Sequence, residues 1–122
     1  MNKIIKYYNP HPAKKNIGDC QTRAFVKLTG QPYLIVRKNL NIIKKGIGAK
    51  NYFDTAVVEL AALEFGSYKD AIIENKTFEN FAKRNKGRFL LVSEEHVAAC
   101  IDGIIYDTWD SSKEQLVKVY WF

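Results

Sequence analysis

The stretch His96-Val-Ala-Ala-Cys-Ile-Asp-Gly-Ile-Ile-Tyr-Asp-Thr-Trp109 decides how this chain is read. Two short apolar runs flank Asp102-Gly103, a dipeptide suited to a two-residue turn because both central positions of a type I′ turn need positive φ. The stretch is therefore predicted to be a β-hairpin. With Asp102 and Gly103 as the loop, Ile101 faces Ile104, Ala98 faces Asp107 and His96 faces Trp109. Opposed residues share a sheet face, as do residues two apart on one strand. His96, Asp107 and Trp109 are thus expected on one face, with His96 and Asp107 as diagonal neighbours. A carboxylate beside an imidazole orients the ring and makes it more basic. Should a bulge shift the register, Asp110 would take the place of Asp107.

Working outward, a further strand is expected over residues 88–93 before the hairpin, and another over 116–121 after it. Lys118 in the last run suggests one wet face. Upstream, the pattern is helical. Asn16-Ile-Gly-Asp19 turns the chain into a helix over about 20–28, with Asp19 as the expected N-cap and Thr29-Gly30 as the stop. Pro32 opens a second helix carrying Tyr33, Val36, Leu40 and Ile43 on one side, and Gly46 and Gly48 end it. Asp54 is placed to cap a third helix, which ends at Gly66. It is apolar nearly all round, so it is expected to be the most buried. Residues 77–83 read as a short helix and 3–8 as a short strand, while 67–75 carry no clear pattern. Helices first and antiparallel strands after give an α+β fold, with N-terminal helices packed on a C-terminal antiparallel sheet.

At 122 residues, 47% apolar and 13% aromatic, the chain suits one domain over 1–122 with a core that needs no disulfide. No window is apolar over the length of a membrane span, and the N-terminus lacks the apolar run of a signal peptide, so a cytoplasmic location is expected. Cys20 and Cys100 are too few for a disulfide framework, and no Cys/His cluster has zinc spacing, so neither a metal nor another cofactor is expected. The net charge of +6 is spread over many segments. It reads as a solvated surface rather than as a nucleic-acid site.

Cys20 falls at the first turn of the first helix, straight after Gly18-Asp19. A helix N-terminus carries partial positive charge and unpaired N–H groups, which stabilise a thiolate and can hold the oxygen of a tetrahedral intermediate. A cysteine opening a helix, with a histidine and a carboxylate on later adjacent strands, supplies nucleophile, base and orienter. On these residues the chain resembles the papain-like cysteine peptidase superfamily. Asp107-Thr-Trp109 looks like that family's Asn-Ser-Trp, in which the first residue orients the histidine and the tryptophan shields their hydrogen bond. Compact bacteriocin-processing peptidases are closer in size and in having aspartate as third residue. Gly-Asp-Cys-Gln-Thr-Arg-Ala (18–24) together with 96–112 is also similar to small phage- and prophage-encoded proteins assigned to this fold.

The resemblance implies a papain-like domain with Cys20, His96 and Asp107 as a catalytic triad and Trp109 as shield. The substrate implied is a peptide or protein amide bond, cut by hydrolysis or passed to another acceptor. The family usually carries a glutamine about six residues before the cysteine as an oxyanion donor. That position is Lys14 here, and Asn16 is the nearby amide that would substitute. Cys100 is read as core, and His11, between two prolines, as a loop residue. Arg23, one turn from Cys20, would contact a substrate acid or pair with a surface carboxylate. The competing reading is a catalytically idle protein of the same fold that grips a protein partner.

Overall fold

The computed structural model describes residues 3–51 and 54–122. Asp102 and Gly103 carry φ of 49° and 85°, the turn expected of that dipeptide. Around it, strands β4 (Val97–Ile101) and β5 (Ile104–Asp107) pair with Ile101 opposite Ile104 and Cys100 opposite Ile105. β3 (Arg88–Val92) lies antiparallel on the other side of β4, and β6 (Lys118–Trp121) lies antiparallel beyond β3.

Two further strands complete the sheet, and one of them corrects the expectation of an antiparallel sheet. β1 (Ile5–Tyr7) pairs parallel with β5, placing Tyr7 opposite Asp107. β2 (Lys69–Ile72), from the stretch without a clear pattern, pairs antiparallel with β6. The sheet is therefore mixed, in the order β1-β5-β4-β3-β6-β2. With the four helices among the described residues it makes an α+β fold.

The helices are α1 (Cys20–Thr29), α2 (Tyr33–Gly46), α3 (Thr55–Glu64) and α4 (Phe78–Arg84). Three of their boundaries have a clear local cause. Gly30 takes the left-handed conformation that closes α1, Asp54 Oδ1 accepts the Ala56 N–H to open α3, and Thr77 Oγ1 accepts the Asn80 N–H to open α4. Asp19 does not cap α1 with its side chain, which is engaged elsewhere.

The sheet is covered on both faces. On one, Ala24, Phe25 and Leu28 of α1, Val36 and Leu40 of α2 and Val58, Ala61 and Ala62 of α3 bury Leu90, Val97, Ala99 and Tyr120. On the other, Phe78, Phe81 and Ala82 of α4 close over Phe89, Leu91, Ala98, Cys100, Ile105 and Val119. The most buried helix is α1, not α3. Seven of the ten α1 residues are inside, whereas Leu60 and Leu63 of α3 reach solvent. The apolar sequence of α3 exceeds what its neighbours cover, because α1 already occupies the middle of the sheet.

Candidate functional site

The polar cluster lies where β4 begins and β5 ends, at the N-terminus of α1. His96 immediately precedes β4 and Asp107 closes β5, so the hairpin register delivers both to one end of the sheet. His96 Nε2 lies 2.7 Å from Asp107 Oδ2, and both residues are buried. With Nε2 committed to the carboxylate, Nδ1 is the nitrogen left for Cys20, which lines the same cavity and helps to raise the imidazole pKa. Cys20 is itself buried, as the first residue of α1. Its backbone N–H has no carbonyl a turn earlier to bond within the helix.

The electrostatics favour charge on the ring. Burial alone pulls the imidazole pKa down, but the hydrogen bonds with Asp107 and Cys20, and their charges, outweigh it and raise it to about 9. Burial likewise pushes Asp107 up. Hydrogen bonds from His96, Ser111 and the Thr108 N–H overcome that and hold the carboxyl below its usual range. Cys100, packed on the α4 side of the sheet, is chiefly desolvated, which lifts its thiol to about 12.

A cavity of about 280 Å³ opens here, lined by Asn16, Cys20, Arg23, His96, Thr108 and Trp109 among others. The structure thus brings together Asn16, Cys20, His96 and Trp109 around one space, with Asp107 behind the histidine. The Trp109 ring lies 4.8 Å from the imidazole, centroid to centroid, and is half exposed. Asp110 is turned to its own loop, where its Oδ1 accepts from the Ser112 N–H and hydroxyl. Lys14 donates its ammonium to the Asn9 carbonyl within the preceding loop. His11 packs its ring against Tyr33 and accepts from the Ala13 N–H. A second cavity, about 470 Å³ and mostly apolar, also reaches His96 and runs between α3 and the sheet past Val58, Val97 and Tyr120.

Two buried partners of Asp107 were not anticipated. Ser111 Oγ donates to Asp107 Oδ2 at 2.6 Å, and Arg23 Nη2 donates to Asp107 Oδ1 at 3.2 Å. Ser111 stands in Asp110-Ser-Ser, which reads as turn material, and nothing local marks it. Arg23 bonds two buried carboxylates, Asp19 and Asp107, so it neither awaits a substrate acid nor pairs at the surface. Its spacing of four residues from Asp19 was the one available signal.

Among the described residues no group of three or more His, Cys, Asp or Glu side chains is placed to hold a metal ion, and no helix is long and apolar enough to cross a membrane. No family model matches the chain, and neither a curated protein nor a solved structure matches it.

Proposed function

We propose that this protein is a cysteine-nucleophile enzyme of the papain-like type, acting on a peptide or amide bond. The observation that carries the reading is an imidazole whose Nε2 lies 2.7 Å from a buried carboxylate and whose ring lines one cavity with a thiol that opens a helix. A nucleophile and a base on one cavity, with an orienting carboxylate behind the base, are the parts such chemistry needs.

The chemistry follows from those atoms. The reactive form carries the proton on His96 and the negative charge on Cys20 Sγ, and the sulfur attacks the carbonyl carbon of the substrate. The carbonyl oxygen becomes an oxyanion, met by the Cys20 N–H and by the Asn16 side-chain amide. The C–N bond breaks as the tetrahedral intermediate collapses, and His96 returns the proton to the leaving amine. That leaves a thioester on Cys20. Water, deprotonated by His96, releases the acid, or a second amine takes the acyl group. Asp107 keeps its charge throughout and stabilises the imidazolium. Trp109 covers the ring from the solvent side, and the larger apolar cavity beside His96 is available to a substrate side chain.

A second reading, an idle domain that binds a protein partner, draws on the absence of a glutamine at Lys14, whose ammonium is tied to Asn9 instead. Losing one oxyanion donor lowers turnover by ~10²–10³. One measurement separates the two. A free thiol is under ~1% thiolate at about pH 6, so rapid alkylation there needs an activating base. Iodoacetamide is expected to label Cys20 quickly in the native protein, with labelling slowed about tenfold or more by His96→Gln. An equal rate in both proteins removes the enzyme reading and leaves the binding one.

A further inference from the structure

The buried charges of the site continue past Asp107 into the body of α1 and α2. The Arg23 side chain is 5% exposed, and the two carboxylates it bridges are 0% and 1% exposed. Nη1 bonds Asp19 Oδ1 and Nη2 bonds Asp107 Oδ1, so one guanidinium joins α1 to the end of β5 across 84 residues of sequence. Asp19 is itself held from the other side, where the Tyr33 hydroxyl donates to Oδ2 at 2.6 Å. Arg37 in turn donates to the Tyr33 oxygen at 3.4 Å.

At Asp107 the arrangement is saturated. A carboxylate offers about four lone-pair sites, and four donors meet it here. Oδ1 accepts from Arg23 and from the Thr108 N–H, and Oδ2 accepts from His96 and from Ser111. Two donors on Oδ1 fix the rotation of the group, which settles where Oδ2 points. A guanidinium is suited to the task because its planar fork reaches two acids in fixed directions and stays charged at any working pH.

We propose that Arg23 is a positioning residue of the site: anchored by Asp19 and Tyr33, it locks the Asp107 carboxylate so that Oδ2 meets His96 Nε2 and the ring presents Nδ1 to Cys20. This rests on the reading of Cys20 and His96 as nucleophile and base. A merely structural Arg23 would tie α1 to β5 and contribute to stability without acting on the thiol through Asp107.

The test is a double-mutant cycle on the rate of Cys20 alkylation by iodoacetamide at about pH 6, resolved from Cys100 by peptide mass mapping. Arg23→Gln is expected to slow alkylation about tenfold, Asp107→Asn at least as much, and the double variant no more than about twofold beyond Asp107→Asn alone. Arg23→Lys keeps the charge but not the fork, and should fall between the native protein and Arg23→Gln. Rate losses that multiply in the double variant would overturn the proposal, since Arg23 would then act independently of Asp107, whatever its effect on Tm. Should Arg23→Gln not fold, the same cycle with Arg23→Lys decides by the same criterion. If native alkylation is fast and His96-dependent but the cycle is additive, only the role of Arg23 falls. If His96→Gln leaves the rate unchanged, this inference falls together with the enzyme reading.

Discussion

At the residue scale, the polar cluster is governed by how completely each buried group is matched. Asp107 has four donors, and Thr108 beside it has a side-chain oxygen that is buried without a hydrogen-bond partner. A buried hydroxyl left unpaired forgoes the water it had in the unfolded chain, at a cost of about 1–3 kcal/mol. Valine has nearly the same shape and no hydroxyl. Thr108→Val is therefore expected to hold or raise Tm, by no more than a few degrees, where most substitutions of half-buried residues lower it. A drop of several degrees on a thermal melt would mean that the hydroxyl has a partner. The same matching explains what the sequence made legible. His96 and Asp107 could be paired because a two-residue turn fixes register, and register fixes which side chains meet. Ser111 and Tyr33 could not, because their partners come from a strand end and from a helix start whose relative placement no periodicity encodes. Arg23 stood between the two cases, with Asp19 visible at helical spacing and Asp107 not.

At the element scale, the hairpin is the piece on which the site's geometry depends, and its turn is the most local thing about it. Asp102 sits at φ 49°, and its carboxylate also accepts the Gly87 N–H at 2.9 Å, tying the turn to the entry of β3. Gly103 sits at φ 85°, where a Cβ would stand 3.3 Å from the Ala82 carbonyl and 2.9 Å from the Lys86 ammonium. The ammonium can swing away, but the carbonyl of α4 cannot. Left-handed backbone costs a residue with a Cβ about 1–2 kcal/mol, so Gly103→Ala is expected to lower Tm by several degrees. Asp102→Gly keeps the backbone and loses only the bond to Gly87, a loss of about 1 kcal/mol. Equal or larger damage from Asp102→Gly would show that the contact with β3, rather than the turn's φ, sets the hairpin. Elements that carry their own signal were readable in this way: the turn, the cap at Asp54 and the stop at Gly30. β1 was legible as a strand but its parallel pairing was not, and β2 carried no signal at all, because sheet membership at an edge is decided by the neighbour. The Lys-Asp-Ala-Ile of β2 has no apolar face, and nothing in the three residues of β1 states the direction in which it pairs with β5. α3 misled for the opposite reason, since an apolar sequence states what a helix could bury and not how much surface is offered to it.

At the scale of the whole molecule, Asp19, Arg23, His96 and Asp107 lie buried beside the thiol at one end of the sheet. These four groups are neutral in sum when the ring is charged and carry one net negative charge when it is not. Stability should therefore follow the ring. The imidazole is raised from the ordinary value near 6.5 to about 9 in the folded protein, so the folded state binds its proton more tightly than the unfolded chain does. The stabilisation is fully present below about pH 6.5 and is lost as pH rises through about 9, because in that window the folded state retains a proton that the unfolded chain has released. Asp107 has the opposite sense. Its carboxyl lies below the usual range when folded, so its contribution is present above the unfolded value of about 4 and fades as pH falls further. Between these limits Tm should form a plateau, falling towards mild alkali as well as towards acid. His96→Gln removes the alkaline titration while leaving an amide able to donate to Asp107. The variant is expected to be less stable at about pH 6, and its deficit should shrink steadily towards about pH 9. Melting curves recorded across that range decide the matter: parallel declines in the two proteins would mean that the ring does not carry its charge inside the folded site, and the ion pair of His96 and Asp107 would have to be given up.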